Sequence, residues 1–294
     1  MKKINLITVA LLFFSSFIFS SCGNATKDSK ESSVEKKEIS VGFSPGPYSD
    51  LFKKTIQPAL EKKGYKIKIV EFTDWVTPNL ALANKEIDAN IYQNTLYRQN
   101  FCDTKGVDLT ATFSVPTAAL GLFSDKYKVK SIDELKAQLQ PGGIVSVPND
   151  AVNLARALRF LRSIGLITIK STVDDKTATE NDIDENPFQL KIVPLEAAQL
   201  PRSLDGSTLA VIPGNYAISS GLKLSSSIVG ETLPSELLIW FVVRSENANA
   251  QFVKDAQEAY ESEEFKNYFE NPENEFDRFQ RPQWYVDKWN IQNR

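Results

Sequence analysis

The sequence contains no histidine, and this absence restricts its chemistry more than any motif does. None of the 294 residues offers an imidazole as a general base or as a metal ligand. Ser-His-Asp hydrolysis, Cys-His catalysis and histidine-ligated metal sites are therefore excluded. The carboxylates form no spaced cluster of the calcium-loop type. We expect a protein without enzymatic activity, metal or cofactor.

Cysteine and blocks of basic charge are also scarce. The two cysteines are Cys22 and Cys102. Because Cys22 belongs to the leader, Cys102 has no partner for a disulfide and is predicted to be a small, semi-buried thiol. The net charge is −3 and the body carries no basic block, which argues against nucleic acid as a partner.

The first 22 residues have the pattern of a secretory signal peptide. Two lysines follow the initiator methionine, an apolar run comes next, and two serines stand directly before Cys22. The run lacks the length and the stop signal of a membrane span. The cysteine resembles that of a bacterial lipobox, which implies removal of residues 1–21, a palmitate-type lipid on Cys22 and anchoring at the periplasmic or extracellular side of a bacterial membrane. Residues 22–37 are rich in Ser, Lys and Glu and predict a flexible tether.

The body begins with a strand, a helix and a second strand. Residues 38–43 and 65–72 alternate apolar and polar side chains, as strands do. The helix between them is expected to end at Gly64 and to be bent or interrupted by Pro58. This spacing favours a parallel sheet, whose strand ends and helix N-termini form ligand crevices.

Later segments resemble crossovers between two mixed α/β halves. Residues 109–123 are rich in strand formers and broken at Pro116, and residues 237–243 form a fully apolar strand too short for a membrane span. One helix is predicted over residues 250–269. The aromatic tail after residue 271 either packs back on the body or forms an interaction patch.

Flat and bidentate side chains collect in residues 72–94. Trp75, Tyr92, Gln93 and Asn94 suit a small polar molecule with an apolar tail better than they suit bond-breaking chemistry. The alternative is that the two aromatic residues belong to the core.

A second group of candidates lies at the start of a predicted helix. Asn149 and Asp150 cap this helix, and Asn153 and Arg156 share one face because they are three residues apart. An arginine fork beside free backbone N–H groups makes a carboxylate site. The alternative is that Arg156 is a surface or salt-bridged arginine.

Four segments in this order and spacing, together with the lipobox, resemble the NlpA/MetQ family, the methionine-binding lipoproteins of ABC importers. The segments are residues 72–94, 148–167, 195–204 and 210–217. The resemblance extends from residue 38 to about residue 269. It implies capture of a small amino acid or dipeptide, without catalysis, and delivery to an ABC permease and its ATPase.

The same resemblance implies an α/β protein with the two-lobed periplasmic-binding-protein fold of type 2. Mixed sheets flanked by helices form the lobes, and the ligand cleft lies between them. Lobe 1 is expected to comprise residues 38–117 and 236–294, and lobe 2 residues 118–235.

Particular roles follow from the matching positions. Trp75 and Tyr92 stand where family aromatics pack the ligand side chain. Arg156 matches the arginine that holds the ligand carboxylate, Asn153 matches the nearby asparagine, and Asn149 opens the same turn.

Two positions depart from the family pattern. Asn94 stands where the family usually has histidine, and Pro213 where it usually has the asparagine that holds the ligand amine. Asn215 and Glu236 are two alternatives for an oxygen that compensates for the missing asparagine, and the sequence does not choose between compensation and its absence. Methionine, a related amino acid, a dipeptide and another small anion all stay open as ligands.

Two other functions compete with substrate capture. A bilobal enzyme acting on a small carboxylate lacks histidine, a metal cluster and paired catalytic carboxylates. A surface lipoprotein of the same fold that has lost or changed ligand binding, with a structural or interaction role, is favoured by Pro213.

Overall fold

The computed structural model describes residues 37–274, 276 and 278–291. The predicted signal peptide, the lipidation site Cys22 and the tether up to residue 36 lie outside them. The strands are β1 (Glu38–Phe43), β2 (Lys66–Glu71), β3 (Ala89–Ile91), β4 (Leu109–Val115), β5 (Thr117–Ala118), β6 (Leu120–Phe123), β7 (Ile144–Pro148), β8 (Lys191–Leu195), β9 (Leu209–Pro213), β10 (Val229–Gly230), β11 (Ile239–Arg244) and β12 (Phe279–Gln280). The α-helices are α1 (Pro47–Leu51), α2 (Gln57–Lys62), α3 (Thr77–Ala83), α4 (Thr95–Lys105), α5 (Ile132–Gln138), α6 (Ala151–Ser163), α7 (Leu200–Ser203), α8 (Gly214–Ser219), α9 (Gln251–Tyr260), α10 (Glu263–Phe269) and α11 (Gln283–Trp289).

Two mixed five-stranded sheets organise the chain. The first has the order β2-β1-β3-β11-β4 and the second the order β10-β6-β9-β7-β8. Strand β1 runs parallel to β2 and β3, which confirms the predicted parallel pairing at the start of the body. Strand β11 is antiparallel to β3 and β4, and β6 is antiparallel to β9. The predicted α/β class is therefore correct, while the lobe boundaries near residues 117 and 236 stay a prediction.

Each sheet contributes to a larger and a smaller buried apolar cluster. The larger cluster of the first sheet is called the first cluster here, and the larger cluster of the second sheet the second cluster. Phe43 and Phe241 are buried in the first cluster, where Phe241 stacks on Phe113 with ring centroids 5.0 Å apart. In the second cluster, Leu158 and Leu161 of α6 are fully buried because they lie on the apolar face of that helix. Cys102 is a buried free thiol.

The predicted interruption at Pro58 takes the form of a π-helical turn. Residues Phe52–Ile56 form this turn between α1 and α2, and the N–H of Gln57 donates to the carbonyl of Phe52. Proline has no N–H to donate and its ring crowds the preceding turn of a helix. A widened turn directly before it keeps the helix continuous.

The prediction of one helix over residues 250–269 is wrong. Helix α9 ends at Tyr260, and Ser262 begins α10 by accepting a hydrogen bond from the N–H of Phe265 at 3.1 Å through its hydroxyl. A serine cap with extended backbone starts a new helix, so the apolar face is carried by two short helices.

The aromatic tail packs back on the first sheet. Strand β12 pairs with β5, and the Trp284 indole N–H donates to the carbonyl of Ser114 at 2.8 Å. The hydroxyl of Thr117, in β5, accepts from the N–H of Ile239 at 2.8 Å. The tail therefore packs on the first of the two strand-like stretches that run between the sheets, and Thr117 bonds that stretch to the second.

Candidate functional site

A central cavity of about 30 Å³ brings together most of the predicted site residues. Its first wall consists of Tyr48, Trp75, Tyr92, Gln93, Asn94, Tyr97, Thr117, Ala118 and Ile239. Its second wall consists of Asn153, Arg156, Pro213 and Asn215. The walls come from chain segments that belong to different sheets, so the cavity lies where the two halves of the body meet.

Three aromatic residues of the first wall support one another. The hydroxyls of Tyr92 and Tyr97 donate to the carbonyl of Trp75 at 2.8 and 2.9 Å. Burial raises the pKa of both tyrosines, so their hydroxyls stay protonated and act as donors. The Trp75 indole N–H is buried and has no acceptor among the described residues. This wall offers apolar ring surface and one unused donor.

Buried amides hold the end of β3. The amide of Gln93 bonds Asn79 in both directions, and its Nε2 also donates to Asn90 at 2.9 Å. Asn94 follows and caps α4, since its Oδ1 accepts from the N–H of Tyr97 at 2.8 Å. The capping role fixes Asn94 in the wall, where the family pattern usually has histidine.

The second wall is built on the first turns of α6. Asp150 caps this helix by accepting from the N–H of Asn153 at 3.0 Å, and the Asn153 amide donates to both oxygens of the same carboxylate at 3.1 Å. Burial raises the pKa of Asp150, and these hydrogen bonds oppose that rise. Asn149 does not line the cavity: it is exposed and its amide donates to Glu196 at 2.9 Å.

Arg156 is both a cavity residue and a salt-bridged one. Its Nε lies 3.0 Å from both carboxylate oxygens of Glu231, and its Nη2 lies 2.5 Å from Oε2. The two side chains are only 8% and 9% exposed. Nη1 lies 3.5 Å from Asn153 Oδ1. The alternative of a salt-bridged arginine is therefore confirmed, while the role of Arg156 toward a ligand carboxylate stays a prediction.

The residues proposed to replace the missing asparagine lie in different places. Pro213 and Asn215 line the second wall, whereas the side chain of Glu236 is exposed and outside it. Asn215 donates from Nδ2 to the carbonyl of Pro45 at 2.8 Å, which leaves its Oδ1 as an acceptor. Gly46 has φ 138°, and a Cβ there would lie 2.7 Å from that of Asn215, so only glycine permits this close approach.

The chain was compared with known proteins. The family model for the NlpA lipoprotein matches residues 39–284. The chain belongs to the NlpA lipoprotein family. The probable D-methionine-binding lipoprotein MetQ of Vibrio cholerae serotype O1 is 35% identical over 264 residues, which are 88% of this chain and 91% of that protein. D-methionine-binding lipoprotein MetQ of Escherichia coli K12 is 38% identical over 249 residues, 83% of this chain and 86% of that one.

A solved structure agrees with the assignment to the NlpA family. The nutrient binding protein from Burkholderia cenocepacia bound to methionine matches with a TM-score of 0.73 and 35% identity, over 80% of this chain and 96% of that one. This NlpA protein accordingly has the two-lobed fold of substrate-binding proteins and is a binding protein rather than an enzyme. Within the described part of the chain, no helix has the length and apolarity needed to cross a membrane.

Sequence reasoning missed Glu231, the carboxylate that this NlpA protein places on Arg156. Glu231 follows β10, a strand of two residues, and stands 75 positions after the arginine. No periodicity or motif marks such a position. The only available signal was the alternative of a salt-bridged arginine, which required a partner that the sequence did not identify.

Larger grooves elsewhere on this NlpA protein contain none of the predicted site residues. Two grooves of about 700 and 710 Å³ meet at Leu222, Leu224, Ser225 and Arg278. Both are open to solvent and lined by mixed polar and apolar groups. The small central cavity, not the large grooves, gathers the residues that the family resemblance assigns to ligand.

Proposed function

We propose that this chain is the substrate-binding lipoprotein of an ABC importer. It captures a small amino-acid-like ligand, methionine or a relative, between two lobes and delivers it to a membrane permease and its ATPase. The observation that carries the proposal is the cavity itself: Arg156 and Asn153 on one wall face Trp75 and Tyr92 on the other.

The chemistry of the walls fits the two ends of an amino acid. The Nη1 edge of Arg156, beside Asn153, provides N–H donors for a carboxylate in a buried setting, where charge-assisted hydrogen bonds are strong. The rings of Trp75, Tyr92 and Tyr97 provide apolar surface for a side chain, and polarizable sulfur packs well against aromatic rings. The names of relatives that bind methionine support the same class of ligand.

Ligand entry requires the two walls to separate. A cavity of about 30 Å³ is far below the roughly 300–1,000 Å³ of typical ligand pockets. Contacts across it include the hydrogen bond from Asn215 to the Pro45 carbonyl and the packing of Trp75 on Tyr216, whose ring centroids lie 5.2 Å apart. We propose that lobe 1 (residues 38–117 and 236–294) and lobe 2 (residues 118–235) part at these contacts and close again around the ligand.

The proposal includes the position of the protein in the cell. A leader of signal-peptide type followed by Cys22 supports lipid anchoring at the periplasmic or extracellular side of a bacterial membrane. The related outer membrane lipoprotein 3 of Mannheimia haemolytica supports a location in the envelope. Mass spectrometry of the membrane fraction is expected to find a mature chain that begins at a lipid-modified Cys22, and an unmodified Cys22 would contradict it.

A second candidate is a surface lipoprotein of this fold that has lost or changed ligand binding. Pro213 favours it, because proline provides neither a side-chain acceptor nor a backbone donor where the family usually has asparagine. The small cavity favours it as well.

Calorimetric titration separates the two candidates. The panel consists of L- and D-methionine, other amino acids and methionine-containing dipeptides, each tested with the folded protein. Saturable binding of one class at a stoichiometry of one supports substrate capture. Absence of heat and of thermal stabilisation with every member of the panel would favour the surface lipoprotein.

A further inference from the structure

Glu231 is an acidic residue with a buried side chain that the proposed function does not use. Its carboxylate bonds the Nε and Nη2 atoms of Arg156, and both side chains are more than nine-tenths buried. The ion pair of a buried arginine and its carboxylate partner has no net charge with which to attract an incoming ligand. This differs from a binding site in which an unpaired arginine attracts any small anion.

The strand ladder holds Glu231 in place. Its N–H donates to the carbonyl of Leu120 at 2.9 Å, and the N–H of Leu120 donates back to Oε2 at 3.3 Å. Strand β10, which precedes Glu231, is antiparallel to β6, which begins at Leu120. The carboxylate is thus fixed by the second sheet, the same sheet on which α6 and Arg156 pack.

Glu231 approaches the guanidinium from outside the cavity. It lines a neighbouring surface groove together with Leu120, whereas Arg156 and Asn153 line the central cavity. The Nη1 atom points toward Asn153 and is not bonded by Glu231. A ligand carboxylate can therefore use the Nη1 edge while Glu231 keeps the opposite edge.

Charge balance then decides which ligands fit. With Arg156 neutralised by Glu231, a bound carboxylate adds an uncompensated negative charge, and the Asp150 carboxylate lies close by through its hydrogen bonds to Asn153. Like charges brought together in a desolvated site are strongly unfavourable. A ligand that carries its own ammonium group avoids this cost.

We propose that Glu231 is a positioning and specificity residue, which fixes the guanidinium of Arg156 and makes the cavity select a zwitterion over a simple carboxylate. This inference rests on the proposed function, since it concerns the same ligand. It removes simple anions from the ligands that the sequence left open. It also gives a reason for the burial of Glu231. Pairing with Arg156 alone does not require a buried carboxylate, whereas selection among ligands does.

The test compares L-methionine with 4-methylsulfanylbutanoate, which has the same side chain and carboxylate but no amine. Both are titrated into the wild-type protein, Glu231→Gln and Asp175→Asn. Asp175 is the control because it also pairs with an arginine of α6, Arg162, but both side chains are 39% exposed. The quantity of interest is the ratio of the two dissociation constants within each protein.

We expect the wild-type protein to prefer L-methionine by about 100-fold or more, which corresponds to the cost of a like charge in a desolvated site. Glu231→Gln should narrow this ratio by about tenfold or more, mainly by improving binding of the analogue, and Asp175→Asn should leave it unchanged. An unchanged ratio in Glu231→Gln would overturn the proposal. So would equal binding of both compounds by the wild-type protein, the result expected if the ligand carboxylate simply displaces Glu231.

A measurement without ligand keeps the proposal testable if Glu231→Gln fails to fold. Spectra of the full protein labelled with ¹⁵N-arginine should contain a slowly exchanging Nε–H signal that Arg156→Lys removes and Arg162→Lys retains. Absence of that signal in the wild-type protein would overturn the fixed pairing. If the wild-type protein binds neither compound, the proposed function fails for this ligand class, and the arginine spectrum still decides on the pairing separately.

Discussion

Replacement of Arg156 by methionine should impair the protein in two separable ways. The change removes the donors that face the cavity, and it leaves the buried carboxylate of Glu231 with the Leu120 N–H at 3.3 Å as its remaining described hydrogen bond. Truncating one side of a buried charged pair weakens binding by about 2–5 kcal/mol, or about 30-fold to 5,000-fold in the dissociation constant. Breaking the pair also lowers the free energy of unfolding by about 3–5 kcal/mol.

A second substitution should separate these two losses. In the double variant Arg156→Met with Glu231→Leu, no charge stays buried without a partner, and such replacements of ion pairs by apolar side chains are often neutral or stabilising. We expect the double variant to regain most of the unfolding free energy while ligand binding stays lost. Chemical denaturation measures the first quantity and calorimetric titration the second.

The same helix provides a matched control. Arg162 forms two hydrogen bonds with Asp175 at 2.7 and 2.6 Å, but this pair is substantially exposed. Arg162→Met should therefore cost only about 0–1 kcal/mol of stability and leave ligand affinity unchanged. A folded Arg156→Met variant that binds ligand as the wild-type protein does, or an Arg162→Met variant that loses as much stability as Arg156→Met, would refute these expectations.

Three further predictions concern the walls of the cavity and its capping residue. Ligand should change the tryptophan fluorescence of the wild-type protein and of Trp284→Phe but not of Trp75→Phe, and an unaltered response in Trp75→Phe would place the ligand elsewhere. Pro213→Asn should tighten L-methionine binding by about 1–3 kcal/mol, because it restores an acceptor for the buried amine, and calorimetry showing no gain would contradict this. Burial raises the pKa of Asp150 above that of an aspartate in the unfolded chain, which is about 4. The ionised carboxylate therefore destabilises the folded state increasingly as the pH rises above about 4. Asp150→Asn keeps a good helix cap and should raise the melting temperature at pH 8 but not at pH 4; an equal effect at both values would show that its charge is not the cause.

Local patterns in the sequence predicted most of the fold. The strand predicted over residues 38–43 matches β1 in both bounds, and the apolar side chains of its alternation, Ile39, Val41 and Phe43, are all buried. The cap of α6 was readable too: Asp150 accepts from the N–H of Asn153 at 3.0 Å, as predicted for the Asn149 and Asp150 pair. The break at Ser262 was missed because the apolar pattern continues on both sides of it, although a serine followed by two glutamates is itself a typical helix start.

The site was predictable only as far as local motifs and family resemblance reach. Six of the seven proposed ligand-binding residues line the central cavity, and the exception, Asn149, is exposed where Asp150 takes the cap. The acidic partner of Arg156 depends on the pairing of β10 with β6, which joins residues more than 100 positions apart. Contacts of this kind are a consequence of topology and leave no local mark in the sequence.

A crystal structure of the protein grown with L-methionine tests the central claim most directly. We expect electron density for one ligand in the central cavity, with its carboxylate at hydrogen-bond distance, about 2.7–3.1 Å, from Nη1 of Arg156 and its side chain against Trp75 and Tyr92. Glu231 should still bond Nε and Nη2. Methionine bound outside this cavity, or inside it with its carboxylate away from Arg156, would contradict the account.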